Sequence, residues 1–342
     1  MLGRYDILFL SETGGRVKRR EFVALIGSSL ISSPLKARAQ GAPRVVRVGW
    51  LTAQREASLT PFLAALRSAL ADFGYSEGRN LFMEYRFGDD QIDRVPALAA
   101  ELVQRRVDLI LVQGAAVPVA AKLNLSVPLI YVFSGDPVSA GFAESLSRPH
   151  GNMTGLTFMA AEFNGKRLEL LRDTIANLRN VAILANPSHP GEHLERDYTQ
   201  KYGQQLGIST DYYATRTREE LENAFAGMRK SPPQAISLFA DGFAIQYRQS
   251  IIDFGSALRI PVVSGWPVFA RSGALFTYGP HLTSSYQRLA YYVDRVVKGV
   301  RPADLPIEQP TKFELVVNLK TARALDLKVP QALLATADEL IE

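Results

Sequence analysis

From residue 45 onward, short apolar runs alternate with longer stretches in which apolar positions recur every three or four residues. The first kind predicts buried strands and the second amphipathic helices. Residues 45–51 (VVRVGWL) are Val-rich and read as a buried strand. Thr60 and Pro61 predict an N-cap followed by proline at the first helical position. Phe62, Leu66, Leu70 and Phe73 then follow at helical spacing until Gly74 ends the helix. Residues 81–85 alternate apolar and polar as a strand does. A helix over 93–106, a strand over 107–112, a short helix over 117–123 and a strand over 128–133 complete this series. A second series begins near Thr154, with a helix over 163–176, a strand over 181–185 and helices over 194–206 and 219–229. It continues with a strand over 235–239, a helix over 244–258 and a strand over 260–263. Residues 275–278 predict another strand, 283–298 a long helix, 312–318 a final strand and 319–325 a final helix.

Strand–helix alternation predicts an α/β protein of parallel sheets with helices on both faces, because a parallel partner needs a crossover connection. Two series predict two lobes, residues 40–154 with 275–308 and residues 155–274 with 309–342. The chain is expected to cross between them near Thr154, Ala274 and Gln309. Ligands of open α/β sheets bind outside the carboxyl ends of the strands, so two lobes can hold a solute between facing edges.

The loops at those ends carry the candidate chemistry. Thr52 and Gln54 follow the first strand, and Gly114, Ala115 and Ala116 follow Gln113 into a short helix. Small residues there let a carboxylate approach backbone N–H groups at a positive helix end, although an ordinary βα turn reads the same way. Phe133 and Ser134 lead to Asp136, which could meet an ammonium group or organise its own turn. In the second series Asn186, Asp241, Phe243 and Trp266 occupy strand ends. A carboxylate beside aromatics suits an amine with a flat side chain, while capping by Asp241 and packing by Trp266 are the alternatives. Tyr278 lies near an expected crossing, as hinge or pocket wall.

Composition narrows the class. The chain has 342 residues, 47% of them hydrophobic and 21% charged, enough for two cores. It has no cysteine and four histidines, which excludes thiolate chemistry and argues against a histidine-built metal site. Lys18, Arg19 and Arg20, a short apolar stretch, and Ala37-Arg38-Ala39 form the three parts of an export signal cut before Gln40, with a twin-arginine character. Residues 1–39 therefore predict an address for the periplasm, with a possible start-site extension before Val17. Removing their seven of 39 basic and three of 34 acidic residues leaves 32 against 31. The basic balance of the whole chain thus gives no reason to expect nucleic acid as partner.

No Gly-x-Ser-x-Gly elbow, P-loop or Gly-x-Gly-x-x-Gly after a strand occurs, and the histidines match no metal spacing. The sequence offers no nucleophile–base pair, His189 falls in a loop, and neither catalysis nor a cofactor is expected.

Several segments together carry a family resemblance: GYSEGRNL (74–81), EYR (84–86), LAAELV (98–103), GDPV (135–138), RPHGNMTG (148–155), GKRLELL (165–171), YGP (278–280), KGVRPADLP (298–306) and QPTKFELVVNLK (309–320). From about Val48 onward the chain resembles the tryptophan/tyrosine-type substrate-binding proteins of ABC importers. The resemblance implies a type I periplasmic-binding fold, two Rossmann-like lobes joined by three crossings and closing on a small solute. It implies an ABC permease in the inner membrane and its cytoplasmic ATPase as partners, and a monomer is expected. By position Asp136 matches the family's Asp-Pro turn, and Asp241 a common aspartate after a second-lobe strand. The chain departs from the family at 264–269 and 113–116, both in pocket loops. A periplasmic sensor presenting its solute to a membrane receptor, and an exported enzyme, are the alternatives. A transcription factor is disfavoured, because an export signal stands where a DNA-binding headpiece would be.

Overall fold

The computed structural model describes residues 45–342, apart from residues 57, 58, 150, 159, 160, 190 and 240 and the side chain of Pro61. The export-signal reading falls on residues outside those described.

The apolar runs of the first series become β1 (Val46–Thr52), β2 (Leu81–Phe87), β3 (Leu109–Gln113) and β4 (Leu129–Phe133). A small antiparallel pair follows, β5 (Ala143–Ser145) with β6 (Arg148–Pro149), and then β7 (Met153–Thr157). Between them run α1 (Thr60–Asp72), α2 (Val95–Gln104) and α3 (Ala116–Lys122). The first sheet has the order β2-β1-β3-β4-β7 and is parallel throughout. Successive side chains of its strands go to opposite faces. Trp50, Leu111, Ile130 and Val132 pack beneath α1 with residues of α10 (Leu282–Val297), while Leu51, Val112, Tyr131 and Phe133 pack on the side of α2 and α3. The first helix begins at Thr60 itself, behind Leu59, with no side-chain cap.

The second series gives α4 (Ala161–Thr174), β8 (Asn180–Ala185), α5 (Glu192–Gln205), β9 (Ser209–Ala214), α6 (Arg218–Lys230) and β10 (Ala235–Leu238). Then come α7 (Gly242–Gln246), α8 (Arg248–Ala257), β11 (Val262–Ser264), α9 (Pro267–Arg271) and β12 (Phe276–Pro280). After α10 the chain adds β13 (Phe313–Asn318), α11 (Leu319–Ala324), α12 (Gln331–Thr336) and β14 (Glu339–Ile341). The sheet order is β14-β13-β12-β11-β10-β8-β9, with β12 and β13 antiparallel and the other pairs parallel.

Two boundaries differ from the expectation. The strand expected at 275–278 in the first lobe is β12, hydrogen-bonded between β11 and β13 of the second sheet. Its fully buried Phe276 belongs to the core with Val263, Leu315 and Val317, so the crossing falls at His281. The first crossing follows Thr157, because β7 completes the first sheet against β4. The third falls between Glu308, whose carbonyl accepts from Thr157 N, and Phe313. The helix expected over 244–258 is two helices meeting at Tyr247. Sequence patterning misses β9 altogether: STDYYA is a polar edge strand with no buried residue.

Candidate functional site

The carboxyl ends of both sheets' strands face a cleft of about 230 Å³. Each wall is built by loops held in place from below. In the first lobe, Thr52 is fully buried, its Oγ1 donating to Gln113 Oε1 (2.7 Å) and accepting from Gln54 N (3.1 Å). Thr52 thus brackets the Gln113 side chain and the Gln54 backbone, two residues that line the cleft, without reaching it itself. Gly114 and Ala115 continue this wall. Ser134 sits above β4, where Phe158 N donates to Phe133 O (2.8 Å) and Thr157 Oγ1 to Gly135 O (2.6 Å). Asp90 joins from the loop after β2 and accepts from Arg55 Nε (2.7 Å).

The second lobe contributes a different chemistry. Asp241 caps α7, Oδ1 accepting from Ala244 N (2.7 Å) and Oδ2 from Asn186 Nδ2 (2.8 Å). Burial nevertheless dominates and pushes its carboxyl up to about 6; the Ala244, Asn186 and Phe243 donors pull it down, and Asp90 across the cleft adds to the rise. Phe243 and Trp266 flank it, Trp266 standing before Pro267 at the start of α9. Arg216 emerges after β9, with Nε 3.0 Å from Glu220 Oε1 and its side chain 54% exposed. Asn186, Ser188 and His189 form two consecutive turns, with His189 N donating to Asn186 O and Glu192 N to His189 O.

Of the candidate residues, the cleft gathers Gln54, Gly114, Ala115, Ser134, Asn186, Asp241, Phe243 and Trp266. Five lie elsewhere. Thr52 is the bracket just described. Ala116 is fully buried in α3, beneath the loop it was expected to present. Phe133 alternates onto the α2–α3 face with Tyr131 and lies 5.2 Å from the Phe142 ring. Asp136 serves its turn, accepting from Val138 N (2.9 Å) and Ser139 Oγ (2.7 Å). Tyr278 lines a separate cavity of about 490 Å³ with Lys166 and Phe313, as its strand lies deep in the second lobe.

Sequence reasoning misses Asp90, Arg216 and His189. Asp90 and Arg216 follow strands, so the strand-end rule applies to them. The loop after β2 reads as an ordinary polar turn, and β9 has no apolar run to mark it, although Thr217 and Glu220 form a capping-box pattern just beyond Arg216. His189 Nε2 lies 2.9 Å from Ser134 Oγ, so the fold does pair a serine with a histidine that no motif joins. The acid behind it, Glu195, is 3.9 Å from His189 Nδ1, beyond hydrogen-bond reach. Burial pushes His189 down against the opposing pull of Glu195 and Glu192, and pushes Glu195 up against the pull of His189. Arg167, beneath them and fully buried, is lowered to about 10 by the same desolvation. Among the described residues no group of three or more His, Cys, Asp or Glu side chains gathers as a metal site. None of the described helices is long and apolar enough to cross a membrane.

Two Rossmann-like lobes, three crossings and a cleft between strand ends define the type I periplasmic-binding arrangement, a class of solute-binding proteins. Comparison with known proteins agrees. The family described as ABC transporter substrate binding protein matches residues 56–341, and the chain belongs to that family, one of binding proteins and not of enzymes. The tyrosine-binding protein of Clostridioides difficile (strain R20291) is 22% identical over 266 residues, 76% of this chain and 75% of that one. Among solved structures, the ABC domain from Streptococcus pneumonia in complex with L-Trp matches with a TM-score of 0.79 at 20% identity, over 87% of this chain and all of that one. A conserved domain protein from Vibrio cholerae matches with a TM-score of 0.80 at 19% identity and the same coverage.

Proposed function

We propose that this protein is the exported solute-binding component of an ABC importer, acting in the periplasm. Its solute is an aromatic amino acid or a closely related carboxylate. It passes this solute to a permease in the inner membrane, which a cytoplasmic ATPase drives. One observation carries the reading: a buried carboxylate, Asp241, stands beside Trp266 and Phe243 on one wall of an interlobe cleft. An ammonium group facing Asp241 restores the ionised form that burial disfavours. The flat side chain packs on Trp266 or Phe243, where a cation and a ring are both accommodated. The carboxylate end meets the Gly114–Ala115 loop, the Ser134 hydroxyl and the Arg216 guanidinium. Contacts to both walls exist together only when the lobes are closed, so the solute shifts the population that way. The family and the ligands in the names of the relatives support this choice of solute class.

Calorimetry on the mature chain tests it. L-tryptophan or L-tyrosine is expected to bind, and analogues lacking the ammonium or the carboxylate to bind at least ~100-fold more weakly, because each leaves a desolvated partner unpaired. Equal binding of the deaminated analogue would remove the ammonium from the account. Absence of binding by any amino acid would remove the solute class.

A further inference from the structure

Among the described residues, the contacts that join the facing walls include three near the mouth of the cleft. Ser134 Oγ lies 2.9 Å from His189 Nε2. Gly135 and Gly191 meet backbone to backbone: a Cβ on Gly191 would stand 2.8 Å from Gly135 Cα, and one on Gly135 3.2 Å from Gly191 Cα. Gln54 rests on Gly242, where a Cβ would stand 3.2 Å from Gln54 Cγ. We propose that the seam of Ser134 and Gly135 against His189 and Gly191 sets the closed geometry of the lobes. The two glycines form the stop, the hydrogen bond holds it, and Ser134 and His189 act as positioning residues for closure.

A Cβ on Gly191 would meet only Gly135, and φ +88° there resists a side chain as well, whereas a Cβ on Gly135 would meet the Phe133 ring of its own lobe first, at 2.9 Å. Both halves of the seam are anchored close to the crossings between the lobes. The first is bonded to Thr157 and Phe158, at the first crossing. Behind the second, Glu195 faces His189 Nδ1 and accepts from Asn164 Nδ2 (2.9 Å). Asn164 sits in the first turns of α4, and Arg167 on the same helix donates to Tyr278 O (3.0 Å), just before the second crossing. The hydrogen bond between Ser134 Oγ and His189 Nε2 runs in either direction with the histidine tautomer; with the proton on Nε2, Ser134 accepts and keeps its own hydrogen for a solute. The seam is narrow. On one side lies the cleft, and on the other a cavity of about 390 Å³ between Asp136 and Ser139 of one lobe and Tyr198 and Lys201 of the other.

The absence of cysteine makes a clean reporter possible. Gln54→Cys with Gly242→Cys places two thiols within disulfide reach only when the lobes touch. The rate of cross-linking of the ligand-free protein in a fixed glutathione buffer then follows closure. Adding Ser134→Ala or His189→Leu is expected to slow it roughly 2- to 10-fold, the range of one neutral hydrogen bond. Adding Gly191→Ala, whose Cβ would meet Gly135 alone, is a wedge and is expected to slow it at least as much. His189→Gln, which keeps a polar nitrogen near the same place, restores most of the rate, a rescue that a merely structural role of His189 would not give. Equal rates in all these proteins would overturn the proposal, as would a parent pair that never cross-links. The readout contains no solute, so it stands or falls separately from the assignment of an aromatic amino acid.

Discussion

The two walls of the cleft divide the work unequally. The first lobe offers Gln54, Gln113, Gly114 and Ser134, neutral groups, and its one cleft carboxylate, Asp90, is already matched by Arg55. The second lobe offers Asp241, Arg216, His189 and two aromatic rings. A neutral wall adapts its hydrogen bonds to many solutes. A wall with a buried charge accepts only a solute that answers it, since an unanswered charge in a dry site is expensive. Selectivity is therefore expected to reside mainly in the second lobe and closure to recruit the first.

The largest effect that could break this division is at Asp241. Asp241→Ala is expected to weaken binding of L-tryptophan or L-tyrosine by about 3 kcal/mol, roughly 100-fold or more, the scale for removing one partner of a buried charge pair. Gln54→Ala on the opposite wall should lose only about 1 kcal/mol, the net worth of one ordinary hydrogen bond. Calorimetry on the two variants decides, and comparable losses would dissolve the distinction between the walls.

The protonation of Asp241 sharpens it further. Its carboxyl is raised from 3.8 to about 6 in the folded protein. The native state keeps a proton that the unfolded chain releases, so stability without solute is highest below pH 4 as far as this group is concerned. That contribution is lost as pH rises through about 6. The tighter hold of the folded state on this proton is worth about 3 kcal/mol at most. Binding of an ammonium needs the ionised form, so affinity should run the other way, falling up to about tenfold per pH unit below 6 and levelling above it. Thermal unfolding from pH 4 to 8, with and without L-tryptophan, measures both slopes. Asp241→Asn should flatten them, and a pH-independent affinity would show that the solute does not face this carboxylate.

Much of this is visible in the chain because burial writes itself into apolar runs. β3 and β4 are entirely buried and stand out as such. β9 does not, being a polar edge strand, and Arg216 is lost with it. Phe133 shows a second limit. A strand-end aromatic alternates to one face or the other, and only the register against α3 decides which. Tyr278 shows a third, for whether β12 lies in the first or the second sheet depends on pairing with β13, a non-local choice. Asp241 and Trp266 are legible because capping and proline positions fix where loops leave strands, and the loops end at the cleft.

Intermediate in size is the aromatic contribution. Trp266→Ala should weaken an aromatic amino acid by about 1–2 kcal/mol through lost stacking and cation–π contact. It should leave a small aliphatic amino acid nearly unchanged, so the ratio of the two affinities is the informative quantity.

The smallest expected effect turns Trp266 into a probe. The chain has two tryptophans, and the other, Trp50, lies fully buried in the first lobe, stacked on Tyr286 at 6.0 Å between ring centroids. Its Nε1 has no partner among the described residues. Trp50→Phe removes ring area but also removes that unpaired donor, and an unsatisfied buried N–H costs about 1–3 kcal/mol. The two effects oppose, so the variant should keep its stability within about 1 kcal/mol, against the 3–5 kcal/mol typical of truncating such a ring to alanine. It leaves Trp266 as the sole indole, placed on the wall assigned the selective role. Binding of L-tyrosine should then change the emission of that single residue while first-wall substitutions such as Gln54→Ala leave the signal's shape intact. A spectrum that ignores the solute would mean that the ring does not touch it, and the aromatic half of the second wall would have to be reassigned.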